Sequence, residues 1–532
     1  MMKRQEAEDE PLLAEHKTSS QRSRSWLREV RPYSLYVLLT LLLAYLFNQL
    51  DRYMLAITIT PLSQDLKFGD MKCFKNDSVH DFGNTHYKCN GTTSSRCLDI
   101  VNVNGTSLCK WDYSGQGWGY QILAGPVFIL IYTVAGIFIG LAADHWNRKL
   151  MLSGCLVLWS VATLLHGLVN EYWQLAVVRF ILGLGEAGCT PFAASLIADY
   201  FSEAQRGAAL GIYNFGIYFG YSLAYAIGNF ITLADINGQG WRWAFILPGL
   251  PGILLGFVIA LTVKEPRRGK KLAEADSADS SDKESSGGSK SSSPPRIPLK
   301  VKAAVITKSF LSPSLLLLCL AGSIRNAGGY VWAYNTQPYF DAAGVSKETT
   351  GSFMSWIPLV GGSLGVLFGG FISDRIVKRR GLYARIFVLV ASQFLAAPFA
   401  AGALFLDVPW SFISLIPANV IGEMWVGVTL AVAVELVPAQ VRTAAVAVYL
   451  FIITNIGGNV PLLVPPIQHS FEDRDYTKAE ALRGALYILY PGLFVLGGLL
   501  FLLTLFVVRR DQRKAELRQN FVNADTDEQS TA

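Results

Sequence analysis

Arg179 and Glu186 stand inside a run of glycine, alanine and leucine long enough to cross a bilayer, in a stretch that closes with Asp199 and Arg206. A charged side chain in hydrocarbon costs a few kcal/mol unless it faces a cavity or a partner. The two are seven residues apart, so on a helix they share a face to within about 20° and lie roughly 10 Å apart along the axis. They can look into one cavity without touching. Desolvation favours the neutral form of a carboxyl and a nearby guanidinium favours the charged form. That balance suits Glu186 to proton exchange between an acidic lumen and a neutral cytosol. The competing use of such groups is structural, a buried ion pair that locks two helices together.

A second copy of the stretch argues for function. Ala418 to Arg442 repeats it, with Gly422 and Glu423 echoing Gly185 and Glu186 at an offset of 237. Glu435 stands seven before Arg442, as Asp199 stands seven before Arg206. Glu423 is therefore expected as a second carboxylate of the same cavity. Asn48, Asp51, Arg52 and Tyr53 put another charged pair into an apolar run, beyond its midpoint toward the lumen. Arg179 lies at comparable depth, so Asp51 and Arg179 could pair. With Arg52 and Glu186 they make a lumen-facing cluster of two carboxylates and two guanidiniums. Further on, Arg325 precedes Gly328, Gly329, Tyr330, Trp332, Tyr334 and Tyr339. A positive charge among aromatics suits a solute with an anionic head and an apolar body, while Tyr339 serves equally as an interfacial anchor. His166, near a span end, is expected at the interface, although histidine titrates in the range of an acidic compartment.

The elements that must hold these groups are membrane helices. The chain has 532 residues, 51% of them hydrophobic, and a mean hydropathy of +0.33, too apolar for an ordinary soluble protein. Apolar runs of spanning length cover 33–59, 118–142, 150–169, 173–198, 207–233, 243–263, 307–339, 350–373, 383–406, 410–437, 443–467 and 484–508. The expected fold is all-α and polytopic, with twelve transmembrane helices as two six-helix pseudo-repeats, 33–263 and 307–508. The net charge of +6 comes from basic residues just beyond apolar spans, where the positive-inside rule puts them; it does not call for nucleic acid. The tails 1–32 and 509–532 and the Ser/Gly/Pro-rich linker 264–306 are then cytoplasmic, and the linker is too polar to fold alone. The polar, charged first thirty residues are not a secretory leader. Within them, Glu8 followed by Leu12 and Leu13 has the form of an acidic dileucine signal, read by clathrin adaptors for endosomes and lysosomes.

Two loops repeat as well. Gly140 and Asp144 are followed by His145 and Arg148, and Gly370 and Asp374 by Arg375 and further basic residues, at an offset of 230. The second matches the loop signature of the major facilitator superfamily, and parallel six-helix repeats describe that architecture. The resemblance implies that these loops, with Asp199, Arg206, Glu435 and Arg442, form the cytoplasmic gate that latches the outward-facing state. Asn48, Asp51, Arg52 and Tyr53, then Arg179, Gly183, Gly185 and Glu186, and Trp241, Trp243, Glu265 and Pro266 resemble the spinster family of lysolipid and sphingolipid transporters. By that resemblance, Asp51, Arg179 and Glu186 are the proton-coupling and substrate-gating groups. The likeness covers the first half well and the second only generically.

The loop 63–117 departs from the spinster pattern and is similar instead to organic cation and anion transporters. It holds Cys73, Cys89, Cys97 and Cys109 and sequons at Asn76, Asn90 and Asn104. Sequons and an even cysteine count on one loop point to a lumenal, oxidising, disulfide-stapled and glycosylated segment. Its spacings lack the paired C-x-x-C of structural zinc, and four cysteines allow three connectivities. The remaining cysteines, Cys155, Cys189 and Cys319, fall in spans as small apolar packers. Nowhere does the chain combine a nucleophile with a histidine partner, a phosphate loop or metal-spaced ligands, so neither an enzyme nor a cofactor is expected. The reading is a monomeric secondary transporter in a lysosomal or endosomal membrane, moving a small organic or lipid-like anion together with protons. Uniport or exchange of a sugar or organic ion at the plasma membrane is the alternative, and a solute receptor a third.

Overall fold

A computed structural model describes residues 30–76, 89, 91, 93–101, 105–142, 146–266, 299–380, 382–437, 442–508 and 510. The dileucine residues Glu8, Leu12 and Leu13, the sequons at Asn90 and Asn104, and Asp144 with His145 lie outside them, as does the side chain of Arg442. Among the described residues, twelve helices are long and apolar enough to cross a membrane. They are α1 (Pro32–Leu66), α2 (Trp118–Ile139), α3 (Arg148–His166), α4 (Tyr172–Tyr200), α5 (Gln205–Ala234), α6 (Gly240–Thr262), α7 (Pro313–Ala342), α8 (Lys347–Val377), α9 (Leu382–Phe405), α10 (Trp410–Glu435), α11 (Ala445–Glu472) and α12 (Lys478–Val508). A further helix, Leu299–Phe310, begins inside the stretch read as linker. The seventh span starts at Pro313 instead of residue 307, because Ser312 caps a new helix with proline in its first turn.

Apolar residues outside the core, such as Leu261 and Phe506, point outward, as helices packed in lipid require. Inside, glycines set the approach between helices. A Cβ on Gly220 of α5 would collide with the backbone of α1 at Leu46, and one on Gly252 of α6 would collide with Ser160 of α3. Small residues at contacts are how membrane helices pack closely.

The two repeat-related helices α4 and α10 are both broken. In α4 the first segment ends at Glu186 and the second begins at Cys189; in α10 the break falls at Glu423 and Met424. Discontinuous helices place backbone and side-chain polar groups at membrane depth, and here each break carries the repeated carboxylate. Gly185 and Gly188 allow the α4 break to press onto Trp159 and Cys155 of α3.

Residues 71–75 and 109–113 form an antiparallel hairpin of β1 (Met71–Lys75) and β2 (Cys109–Tyr113), with Cys73 opposite Trp111. Cys73 bonds Cys97 and Cys89 bonds Cys109, which closes the connectivity left open by the sequence. The hairpin caps the ends of α1 and α2, on the membrane face opposite Pro32 and Val508; these faces are called the loop side and the tail side below.

Candidate functional site

Four ionisable groups meet inside the first half. Arg52 of α1 donates Nε and Nη2 to the same oxygen, Oε2 of Glu186, at 3.2 and 3.0 Å. Arg179 of α4 donates Nη2 to the carbonyl of Arg52 at 3.0 Å. Asp51, Arg52, Arg179 and Glu186 are all buried, and Oδ1 of Asp51, Oε1 of Glu186 and Nε and Nη1 of Arg179 have no hydrogen-bond partner. The Asp51–Arg179 pair that their depth allows is not formed: Glu186 is the carboxylate that takes a guanidinium, and it takes that of Arg52. Depth along two antiparallel helices puts Asp51 and Arg179 on one level, but rotation about each axis decides contact, and it turns Arg179 onto the α1 backbone. Nor does the cluster open toward the loop side, since all four groups are buried. His166, expected at the interface, is also buried, with Nδ1 2.8 Å from the carbonyl of Ala162 and its ring stacked 5.3 Å from Phe245.

The second half holds a matching pair. Arg325 of α7 donates Nη2 to Oε1 of Glu423 at 3.1 Å and to the carbonyl of Gly422 at 2.8 Å, with its guanidinium 4.1 Å from the Phe494 ring centroid. Glu423 also accepts from the hydroxyl of Tyr218 in α5, at 3.2 Å, a bond between halves. Its side chain is 23% exposed where that of Glu186 is sealed at 0%. The charges thus form two separate pairs, one per half, with tyrosines between. Tyr53 lies 4.4 Å from Tyr221 and 6.1 Å from Tyr334, and Tyr330 lies 5.7 Å from Tyr334. Trp332 does not join them: it stacks on Tyr490 of α12 at 4.6 Å, inside the second half. Two residues from Tyr330 and Tyr334, it falls on another face of the helix.

Neutral polar groups that carry no charge signal close the loop side. Gln121 donates to Asn335 at 2.9 Å, Asn229 to Gln337 at 3.0 Å, Thr60 to Asp341 at 3.0 Å and Gln116 to the carbonyl of Pro338 at 3.4 Å. Tyr120 donates to the carbonyl of Tyr334. All five reach the last third of α7. The hairpin adds Lys72 to the carbonyl of Ala342 at 3.3 Å, His469 to Asp70 at 3.4 Å and Lys478 to the carbonyl of Met71. Burial near the like charge of Lys478 pushes the Lys72 amine down to about 8, against the opposing pull of Asp341.

On the tail side the ion pairs of the described residues close within each half. Arg148 donates to Asp199 at 2.6 Å and to Glu265 at 2.8 Å. Arg385 donates to Asp374 at 2.8 Å and to Glu435 at 2.9 Å. Glu265 and Arg385 were not among the expected gate residues. Arg385 stands 237 after Arg148, the same offset that links the two glutamates, so the repeat held the signal. Arg206 donates to the carbonyl of Ala198 instead of to a carboxylate, and Arg375 is exposed. Gly370 has open space around its Cβ position; Gly140 lies in the closing turn of the α2 stretch that ends at Ala142. The cross-half hydrogen bonds described above lie at mid-membrane or toward the loop side, and join the halves there.

The family model of the Major Facilitator Superfamily matches residues 41–460. Protein spinster homolog 1 of Rattus norvegicus is 27% identical over 444 residues, 79% of this chain and 80% of that protein. A sphingosine-1-phosphate transporter of Danio rerio is 26% identical over 417 residues, 75% of this chain and 79% of that protein. Among solved structures, a bacterial homolog of the human lysosomal transporter Spinster, inward-facing and occupied, superposes with a TM-score of 0.66 at 21% identity, covering 90% of this chain and 98% of that one.

Proposed function

Since the chain belongs to the Major Facilitator Superfamily, spinster-like within it, and is a multi-pass transporter, we propose that it exports a lysolipid-like anion from an acidic endosomal or lysosomal lumen, driven by protons. The observation that carries this reading is Glu186. It sits at a helix break, fully buried, with one oxygen holding Arg52 and the other unpartnered. A carboxyl so placed can take a proton and free Arg52. The pair Arg325–Glu423, partly open beside Tyr218, would receive the anionic head, and the tyrosines would receive the apolar body. A sphingosine-1-phosphate transporter among the relatives supports a solute with a phosphate head and an apolar tail. The dileucine pattern at Glu8, Leu12 and Leu13 supports adaptor-directed sorting of a monomeric carrier to such membranes.

Alternating access follows from the two sides. With α7 zipped to the first half, the structure corresponds to the lumen-closed state; swinging the halves the other way would bring the repeated Asp- and Arg-bearing loops together as a cytoplasmic gate. The test is flux of fluorescent sphingosine-1-phosphate in proteoliposomes with an imposed pH gradient. Glu186→Gln should lose the dependence on that gradient, and undiminished gradient-driven flux in this variant refutes the assignment. Gradient-independent flux in the wild type would instead favour uniport.

A further inference from the structure

The Arg52–Glu186 pair has an uncharged neighbour. Phe128 is fully buried in Pro126–Leu130, where α2 winds as a π-helix between Trp118–Ala124 and Ile131–Ala142. Such bulges recur at functional sites. The guanidinium carbons of Arg52 and Arg179 lie 5.2 and 4.4 Å from the centroid of this one ring. Two like charges therefore share one aromatic ring, and Arg179 leaves Nε and Nη1 without hydrogen bonds. Gly183 of α4 makes the approach possible, since a Cβ there would press on the carbonyl of Phe128 at 3.0 Å.

The same bulge meets the other half. A Cβ on Gly458 of α11 would lie 2.8 Å from the Ile129 side chain, and the Thr133 hydroxyl is 2.9 Å from Oδ1 of Asn455. The ring that touches both arginines thus rides on the segment that α11 packs against. We propose that Phe128 is a positioning residue for proton exchange at Glu186, holding Arg52 and Arg179 in place and tying that place to the contact between α2 and α11. It rests on the reading of Glu186 as the proton site. Around Glu186 the charged and titratable groups are Asp51 and Arg52 of α1, Arg179 and Cys189 of α4 and Tyr330 of α7. Tyr132 of α2 faces Arg52 at 4.5 Å. Among these, the Phe128 ring competes with Glu186 for the Arg52 charge. Without it, Arg52 keeps only the Tyr132 ring, leans more on the carboxylate and holds it ionised to lower pH.

The test reads Glu186 directly. Infrared difference spectra of the full-length protein in liposomes would follow the protonated carboxyl band against pH, with Glu186→Gln assigning the band. Phe128→Leu should move its midpoint toward acid by about half to one pH unit, from the usual strength of a cation–π contact. Phe128→Tyr, which keeps a ring, should retain the wild-type midpoint. If Phe128→Leu does not fold, Phe128→Met gives the same ringless comparison. A band that titrates in the wild type and is unmoved, or moves toward alkaline, in the ringless variant overturns the proposal while leaving Glu186 as the proton site. No titrating band in the wild type removes the proton site, and the proposal falls with it.

Discussion

Loosening the α7 seam should push the protein toward a form open on the loop side, by an amount that can be worked out. Replacing Gln121 and Asn335, and Asn229 and Gln337, by leucine removes two cross-half bonds of 2.9 and 3.0 Å. Changing both members of each bond leaves neither as a buried orphan of the other, and Asp341, which loses Gln337, keeps Thr60. Side-chain hydrogen bonds between membrane helices average about 0.6 kcal/mol, so the four substitutions together give about 1.2 kcal/mol. That is about a sevenfold rise in the fraction open on the loop side. Spin labels at Gln239 and Glu348, exposed on the loop side of opposite halves, and at Trp146 and Arg375, exposed on the tail side, would report it by double electron–electron resonance. Cys155, Cys189 and Cys319, the free cysteines of the protein, are first replaced by alanine. Loop-side distances should gain a longer population and tail-side distances a shorter one. Unchanged distributions on both sides, with the seam bonds removed, would refute the view that this zipper holds the observed state.

The two tail-side arginines should differ although they are repeat-mates. Arg148 is 4% exposed with partners at 28% and 22%, so Arg148→Ala should cost about 2–3 kcal/mol, somewhat less than the loss from a fully buried pair. The Asp374 and Glu435 partners of Arg385 are 68% and 36% exposed, so Arg385→Ala should cost at most about 1 kcal/mol; thermal unfolding in detergent compares the two. Lys72 supplies a pH test of hairpin docking. Its docked amine, lowered to about 8, binds fewer protons than a free lysine between about pH 8 and 10.4. Docking should therefore strengthen as pH rises through that window, and Lys72→Met should abolish the rise in thermal stability over it.

The helices were readable in the sequence because lipid demands unbroken apolar runs, and the pairing of Glu186 with Glu423 because duplication preserves spacing. What escaped has physical causes. Asp51 and Arg52 are adjacent residues about 100° apart on a helix, so depth alone could not choose which of them meets α4. Trp332 failed for the same reason of rotation. Gln121, Asn229, Asn335 and Gln337 escaped because neutral amides in a span resemble ordinary packing until two helices bring them together. Arg385 was recoverable by applying the 237-residue offset to Arg148. Phe128 was not, since one phenylalanine in an apolar run carries no pattern, and only the π-helical turn sets it between two charges.

The hairpin leaves from α1 and α2 yet grips the second half at Ala342, His469 and Lys478. It has to lift from that perch each time the loop-side mouth opens. A nanobody that clasped β1 to the α11–α12 turn would hold the mouth shut from outside without entering the substrate path, stopping turnover as a strut stops a hinge.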